Sequence, residues 1–486
     1  MYRAAVVSLL ALCPLVACDK DGLPPCSDAE VGAWRAALKA LGESRPYFHF
    51  SPSRGWMNDP AGLVYAGGEW HLFFQHNPDS TLFGTMRWGH AVSPDLVRWT
   101  ELDSALLPDP TLGQVYTGSA ALRDDGVLVA LFTHAFGADG KQKQSLATSS
   151  DGGRTFTLAK ESPVIPNPGL AAFRDPRLVR EGGAWLATVG TDNAAWVYRS
   201  TDLVNWSKRA EITFATAPRG TWECPELFPF GEKWLLKADV LPAPLATTES
   251  RYWIGSFDGE RFTPETEEGR HFDGPDFYAA QIWNDAPDGR RVWIGWASSW
   301  AYALVTPAEE TRGFMSVPRE LSISGGRLVQ TPAPEVTAYA KRCSLATQAN
   351  TKLDERPLAA GSLPAALLLE LELEPGTSTD SGLVFAAKRG QRTRIGLRGE
   401  TLYLDRSRSG EVDFEPTFAR EIGRAVQLSN GRLALTILVD RSSFEVFAGG
   451  VTLTAQVFPG DSSYTLSGYG GALVHGLRVR PMPPAR

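Results

Sequence analysis

The chain has 486 residues, 43% hydrophobic and 10% aromatic, too long for one ordinary core and composed like a soluble globular protein of two domains. Its 48 Lys and Arg stand against 55 Asp and Glu, and the net charge of −7 gives no electrostatic footprint for nucleic acid. A neutral substrate is compatible with that balance.

In chain order, Arg3, an apolar run over 4–12 and then small residues read as an export signal, too short for a standing transmembrane helix. Leu15-Val16-Ala17-Cys18 resembles a bacterial lipoprotein signal. That likeness implies removal of residues 1–17, lipid on the Cys18 sulfur, and a chain held on the periplasmic or cell-surface face of a membrane by its anchor alone. Ordinary secretion is the alternative. Asp19 resembles the inner-membrane retention signal of some Gram-negative lipoproteins.

Of five Cys, Cys13 leaves with the signal and Cys18 carries lipid. Cys26, Cys224 and Cys343 are then an odd set, with neither a disulfide framework nor a metal spacing. Cys224 beside Glu223 lacks a partnered His motif and reads as buried filler rather than a nucleophile.

Residues 18–44 are expected to form a polar tether, over 19–27, and one short helix. Ser27-Asp28-Ala29-Glu30 has the form of a capping box; Val31, Trp34, Leu38 and Leu41 follow at helical spacing, and Gly42 is a stop. The helix is expected to pack against the catalytic domain.

From Pro46 onward, short apolar runs separated by Gly, Pro and Asp predict an all-β fold. Five such runs have Trp70, Leu128, Trp185, Trp234 and Trp293 at their second positions. The first four are trailed by the turn-like segments Ser93-Pro94-Asp95, Ser150-Asp151-Gly152, Ser200-Thr201-Asp202 and Phe257-Asp258-Gly259. Units of about 50 to 60 residues suit the four-stranded blades of a five-bladed β-propeller over 45–335; a large sandwich is the alternative. Thr331-Pro332-Ala333-Pro334 looks like the start of a linker, and strands resuming over 350–486 predict a C-terminal β-sandwich. No exposed aromatic stripe is legible there, which favours a supporting role over a carbohydrate-binding module.

Three acidic residues recur beside proline and an aromatic: Asp59 in Trp56-Met57-Asn58-Asp59-Pro60, Asp175 in Phe173-Arg174-Asp175-Pro176, and Glu223 in Trp222-Glu223-Cys224-Pro225-Glu226. Proline fixes its own backbone and biases the residue before it toward an extended conformation, which aims the carboxylate of Asp59; the other two are each held between an aromatic and a proline. Turn chemistry alone accounts for one such segment, but three ask for a common cause. Glycoside hydrolysis supplies it, needing a carboxylate nucleophile, a carboxylic acid for the leaving oxygen, and groups that stabilise an oxocarbenium-like transition state.

The three segments, in this order, resemble glycoside hydrolase family 32, the invertase, inulinase and levanase family. The likeness extends through Phe73-Phe74-Gln75-His76-Asn77-Pro78, Trp88-Gly89-His90, Tyr116-Thr117-Gly118-Ser119, Asp276-Phe277-Tyr278, Arg312-Gly313-Phe314 and a late run at Ile437-Leu438-Val439-Asp440-Arg441. It implies Asp59 as nucleophile, Glu223 as acid/base, and Asp175 as a ligand of fructose hydroxyls. It further implies polar ring contacts from Asn58, Gln75, Ser119 and Arg174, apolar walls from Trp56 and Trp296, and a rim from Asp276 and Tyr278. No metal or organic cofactor is implied.

The chain departs from the family pattern at Ala61, Phe83, Glu226 and Thr311; Phe83 keeps an aromatic wall where a Trp is usual but loses its indole N–H. The expected activity is that of a retaining, exo-acting β-fructofuranosidase on sucrose or fructans such as inulin and levan. A fructosyltransferase on the same scaffold and a fructan-binding surface lipoprotein without turnover are the alternatives. On fold alone, an arabinanase-like five-bladed enzyme is the runner-up. Oligomeric state is left open.

Overall fold

In a computed structural model the described residues are 24–40, 45–241, 249–266, 269–271, 274–340, 343–461 and 463–484. Cys13, Cys18, the lipoprotein signal, Leu41 and Gly42 lie outside them. The expected capping box forms at the first helix, Asp28–Ala40: Ser27 N donates to Glu30 Oε2 at 2.8 Å, and Glu30 N to Ser27 Oγ at 3.3 Å. Two orphan N–H groups are thereby satisfied. The helix sits where the two halves of the chain meet rather than against the first half alone. Leu38 is buried with Trp70 and Leu438, and Arg441 donates to the Leu38 carbonyl at 2.6 Å.

Cys26 and Cys343 form a disulfide across 317 residues, with Cα atoms 5.0 Å apart. The expectation that these cysteines make no disulfide framework is corrected by this one bond, with Cys224 left free and buried. Pairing is decided by tertiary proximity, which spacing does not reveal. Cys26 N also donates to Ser344 O at 3.0 Å, and Ser344 N to Pro24 O at 3.1 Å, so backbone bonds as well as sulfur hold the N-terminal segment there.

Among the described residues, five sheets follow one another along residues 55–332. Each begins with a strand at its inner edge: Gly55–Ala66, Gly113–Leu122, Phe173–Glu181, Thr221–Phe230 and Tyr278–Ile282. The second strands, Glu69–Asn77, Leu128–Phe136, Ala184–Thr191, Lys233–Leu241 and Val292–Trp296, carry the five recurring apolar runs and pair antiparallel with the first. Such strands are buried on both faces, hence near-continuously apolar. In the turns that follow the third strands, Asp95, Asp151, Asp202 and Asp258 each accept backbone N–H bonds two to four residues ahead, an Asx-turn solution used four times.

The five first strands touch in a closed cycle, the fifth returning to the first. Closure is reinforced by the short strand Thr311–Arg312, which comes from the fifth unit and pairs parallel with Gly55 and Trp56. A ring leaves the first strands facing a common axis, so residues distant in sequence share one end of it.

The expected linker at Thr331-Pro332-Ala333-Pro334 is instead the end of strand Arg327–Pro332 and the start of a short helix, Pro334–Tyr339. Pro334 opens that helix because its missing N–H is not needed in the first turn. The remaining chain forms two six-stranded sheets, whose first strand, Ala346–Lys352, begins ahead of residue 350. In strand Leu367–Glu374 the Leu side chains at 369, 371 and 373 enter a core with Phe385, Ile437 and Phe444. Glu370, Glu372 and Glu374 alternate outward. Each fully buried Leu or Phe there contributes about 1.5–3 kcal/mol.

Two buried ionic clusters join the halves. His49 Nδ1 lies 2.8 Å from Asp440 Oδ2 and its Nε2 2.8 Å from Glu445 Oε1; Glu445 also pairs with Arg319. Burial alone would strip the His49 proton, but the two carboxylates outweigh it and push its pKa up to about 9. The second cluster joins Asp276 to Arg406.

Candidate active site

All five first strands carry the same irregularity near their N-terminal ends, two residues facing one on the partner strand. The doubled pairs are Asn58-Asp59, Tyr116-Thr117, Asp175-Pro176, Cys224-Pro225 and Ala279-Ala280. A β-bulge bends its strand and re-aims a side chain. Asp59 and Asp175 lie on these bulges, and Glu223 directly before one. At three of them the backbone is left-handed at a residue with a side chain: Asp175 (φ 60°), Cys224 (φ 44°) and Ala279 (φ 53°). Such conformations persist only where the surroundings over-determine them.

The three carboxylates come together. Asp59 Oδ1 accepts from Asn58 Nδ2 at 3.0 Å, and its Oδ2 from the Thr117 hydroxyl at 2.7 Å. Asp175 Oδ2 accepts the Cys224 backbone N–H at 3.1 Å. The Cys224 thiol lies between them, its sulfur 3.5 Å from Asp59 Oδ2 and 3.7 Å from Asp175 Oδ2. Glu223 is gripped at both oxygens: Oε1 receives Arg174 Nη2 at 2.7 Å and Nε at 3.2 Å, and Oε2 receives the Tyr278 hydroxyl at 2.6 Å.

Burial and mutual repulsion set the charge states. Asp59 is raised above the ordinary carboxylate range by burial and by the Glu223 charge, against the pull of Thr117 and Asn58. Asp175 is pushed up to about 7, again by burial first, with Arg174 opposing and Glu223 and Asp59 adding. Arg174 is itself desolvated, yet Glu223 and Asp175 hold it firmly protonated. One guanidinium among three carboxylates leaves surplus negative charge, suited to a substrate on which positive charge develops.

The aromatic walls stand one layer further back than expected. Trp56 and Trp296 have no exposed surface; Trp56 Nε1 donates to Asn58 Oδ1 at 2.7 Å, so Trp56 orients the residue that orients Asp59. Trp300 stacks on Trp56 with ring centroids 5.9 Å apart, and Phe83 meets both rings edge-on. Of this group Phe83 is the exposed member, at 38%.

Three of the expected contacts have partners within the protein. Ser119 is fully buried; its hydroxyl donates to Pro176 O at 2.9 Å and accepts Leu178 N–H at 2.6 Å, which ties the second sheet to the third. Asp276 is also fully buried, turned away from the rim and bonded to Tyr302, Arg406 and the Gln456 N–H. Gln75, the single residue opposite the Asn58-Asp59 bulge, is buried, and its Nε2 donates to Val115 O at 3.2 Å. A polar side chain in a motif can equally bond ligand or backbone, and the sequence does not distinguish the two.

Sequence reasoning passed over Thr117, Tyr116 and Trp300. Tyr116 has its pKa pushed up to about 12 chiefly by burial, with Arg174 opposing and the charges of Asp175, Glu223 and Asp59 adding. Tyr116 and Thr117 sit in the same Tyr-Thr-Gly-Ser run as Ser119; the bulge turns Thr117 inward. Lys237, fully buried, donates to Cys224 O at 3.2 Å and Ala280 O at 3.0 Å and so ties two bulges together. Of the departures, Glu226 is buried and ion-paired with Arg177 at 3.1 Å, Ala61 is core, and Thr311 pairs with Gly55. Among the described residues, none of these three is hydrogen-bonded or ion-paired to the three carboxylates.

Residues 49–332 match the glycosyl hydrolases family 32 N-terminal domain and residues 335–472 the family's C-terminal domain. The chain is 35% identical to a levanase of Bacillus subtilis over 482 residues, covering 90% of this chain and 70% of that one. It is 32% identical to an extracellular exo-inulinase of Aspergillus ficuum over 492 residues, covering 87% and 92%. The crystal structure of an exo-inulinase from Aspergillus awamori superposes with a TM-score of 0.82 at 29% identity, covering 92% of this chain and all of that one. With two domain matches spanning most of its length and three bonded carboxylates in one site, the chain belongs to glycosyl hydrolases family 32 and is a β-fructosidase.

Proposed function

We propose that this β-fructosidase is a retaining, exo-acting enzyme that releases terminal fructose from fructans of the levan or inulin kind, with sucrose as its shortest substrate. Asp59 attacks the anomeric carbon of the terminal fructosyl unit. The bond to the leaving oxygen breaks as Glu223 delivers its proton there, giving a fructosyl ester on Asp59. Water then attacks the same carbon, Glu223 takes its proton, and the carboxylate of Asp59 departs. Asp175 binds fructose hydroxyls, bonds that strengthen as positive charge builds on the ring.

The observation that carries this reading is the meeting of three carboxyl groups in one site. Asp59 is held by Asn58 and Thr117 and shares the Cys224 thiol with Asp175, while Glu223 is held by Arg174 and Tyr278. Such a pair of carboxyl groups, with a third for sugar hydroxyls, is what retaining glycoside hydrolysis uses as nucleophile and acid/base. The closed cycle of first strands supports a five-bladed propeller over 45–335, and the paired six-stranded sheets support a sandwich beyond it. Export fits the Cys26–Cys343 disulfide, a bond that persists in oxidising compartments.

Incubation with sucrose, inulin and levan, followed by chromatography, tests the reading. Free fructose from the first time point without oligofructosides is expected. Early oligofructosides would instead mean internal cleavage, kestose-type products at high sucrose would mean transfer, and no reducing sugar from any substrate would leave a binding protein.

A further inference from the structure

We infer that Arg406, contributed by the C-terminal sheets, is a positioning residue for hydrolysis: through Asp276 and Tyr302 it fixes where Tyr278 meets Glu223 and where Trp300 covers Trp56. The inference rests on the reading of Glu223 as acid/base.

The cluster is hydrogen-bonded throughout and closed off from the surface. Arg406 and Asp276 have no exposed surface and Tyr302 has 2%. Arg406 Nη1 reaches Asp276 Oδ2 at 2.5 Å, its Nη2 the Tyr302 hydroxyl at 3.0 Å, and its Nε the Phe418 carbonyl at 2.8 Å. Asp276 Oδ2 also accepts the Gln456 N–H at 2.7 Å, and Oδ1 the Tyr302 hydroxyl. Arg406, Gln456 and Phe418 lie in the C-terminal half; Asp276 and Tyr302 lie in the catalytic half.

Both catalytic-side members sit two residues from a group in the site. Asp276 precedes Tyr278, and two residues of extended chain span at most about 7 Å, so the anchored carboxylate limits where the Tyr278 hydroxyl can reach. Tyr302 follows Trp300 within a compact turn in which Tyr302 N donates to Ser299 O at 3.1 Å and Ala303 N to the same oxygen at 2.9 Å. A shift of Tyr302 is therefore transmitted to the Trp300 ring.

Stability alone is a poor reason for such a cluster. A buried ion pair roughly breaks even against well-packed apolar residues, and an apolar filling is already adjacent, with Phe414, Phe418 and Phe458 beside Tyr302. What the forked guanidinium supplies and an apolar contact does not is direction.

The test is a double-mutant cycle read on two substrates. Tyr302→Phe and Arg406→Lys are each made in the wild type and in Tyr278→Phe. Measured on sucrose, each is expected to lower kcat/KM about tenfold in the wild-type background and less than about twofold when Tyr278 is already Phe, because coupled residues do not add. On 4-nitrophenyl β-fructofuranoside, whose leaving group needs little protonation, the loss is expected to stay within about threefold. Equal losses in both backgrounds, or folded variants with wild-type rates on both substrates, overturn the proposal. Should Arg406→Lys not fold, Tyr302→Phe, which keeps the ion pair, carries the cycle alone; its collapse too would assign the cluster to folding and likewise overturn the proposal. Glu223→Ala is measured beside them: retained activity there removes the acid/base reading itself, whatever the cycle gives.

Discussion

The hydroxyl of Tyr278 lies 2.6 Å from Glu223 Oε2, on the side of the carboxylate opposite Arg174. A neutral donor on one oxygen and a cation on the other hold the group in one rotamer. Tyr278→Phe removes one bond to a charged acceptor, worth about 1.5–3 kcal/mol, and leaves the ring in place against Trp296. The expected outcome is a fall in kcat/KM on sucrose of about tenfold to a hundredfold in a variant that remains folded at the assay temperature. A rate within about twofold of wild type would show that the contact does no catalytic work.

Removing the carboxylates separates their roles. Asp59→Ala is expected to abolish turnover on every substrate. Glu223→Ala is expected to lose about 10²–10⁴-fold on sucrose, less on a substrate with a good leaving group. Added azide needs no base to attack the fructosyl enzyme, so it should partly restore Glu223→Ala and yield a β-fructosyl azide, while Asp59→Ala stays inactive. An α-azide, or rescue of the Asp59 variant instead, would exchange or break the assignment; NMR of the product decides.

Much of this site was legible in the chain. Three prolines mark the three carboxylates, and the five apolar runs fell on the second strands of the five sheets. What the chain could not convey was register. Whether Thr117 or Ser119 faces the axis depends on the bulge at Tyr116-Thr117, which exists only because two residues there oppose Thr133 alone on the partner strand. Asp276 is the plainer case. Its motif suggested the rim, but its partners, Arg406 and Gln456, lie 130 and 180 residues away, and no local pattern encodes contacts at that range. The pairing of Cys26 with Cys343 was hidden for the same reason.

Above about pH 6.5 the stability of the fold should fall as pH rises. Below that, two sets of buried groups oppose each other. Asp175 and Glu226 are pushed up to about 7 and Asp239 to about 6, each chiefly by burial, so the native state binds protons that the unfolded chain has released and stability declines between about pH 4 and 7. Burial lowers His71, His76 and His90, and brings His134 to about 4, so the unfolded chain binds protons that the native state refuses and stability rises up to about pH 6.5. His49 decides the trend above. Its pKa is raised from 6.5 to about 9 between Asp440 and Glu445, so its contribution is complete below about pH 6.5 and lost on the way to pH 9, on the order of 3 kcal/mol in all. Melting temperatures at pH 7, 8 and 9 should descend. His49→Gln should be less stable at pH 6 and flatter from pH 6.5 to 9; an equally steep slope in the variant would place the titration elsewhere.

Location is the last expectation, and it joins two cysteines. The disulfide at Cys26 fastens the chain beside Ser344, leaving residues 19–23 as the stretch between that fastening and Cys18. If Cys18 bears lipid, the catalytic body hangs within a few residues of the membrane surface. Stable anchoring needs more than one acyl chain, which the di- or triacyl modification of bacterial lipoproteins supplies. Cys18→Ser should therefore move the enzyme out of the membrane fraction or trap it unprocessed, with the specific activity of detergent-solubilised protein unchanged. Cys26→Ser should leave fractionation as it is but lower stability by roughly 2–5 kcal/mol, read as a lower melting temperature matched by the wild type under reductant. Wild-type protein found wholly in the medium, with an N-terminus other than Cys18, would discard the anchor and leave both the disulfide and the chemistry of Asp59 and Glu223 standing.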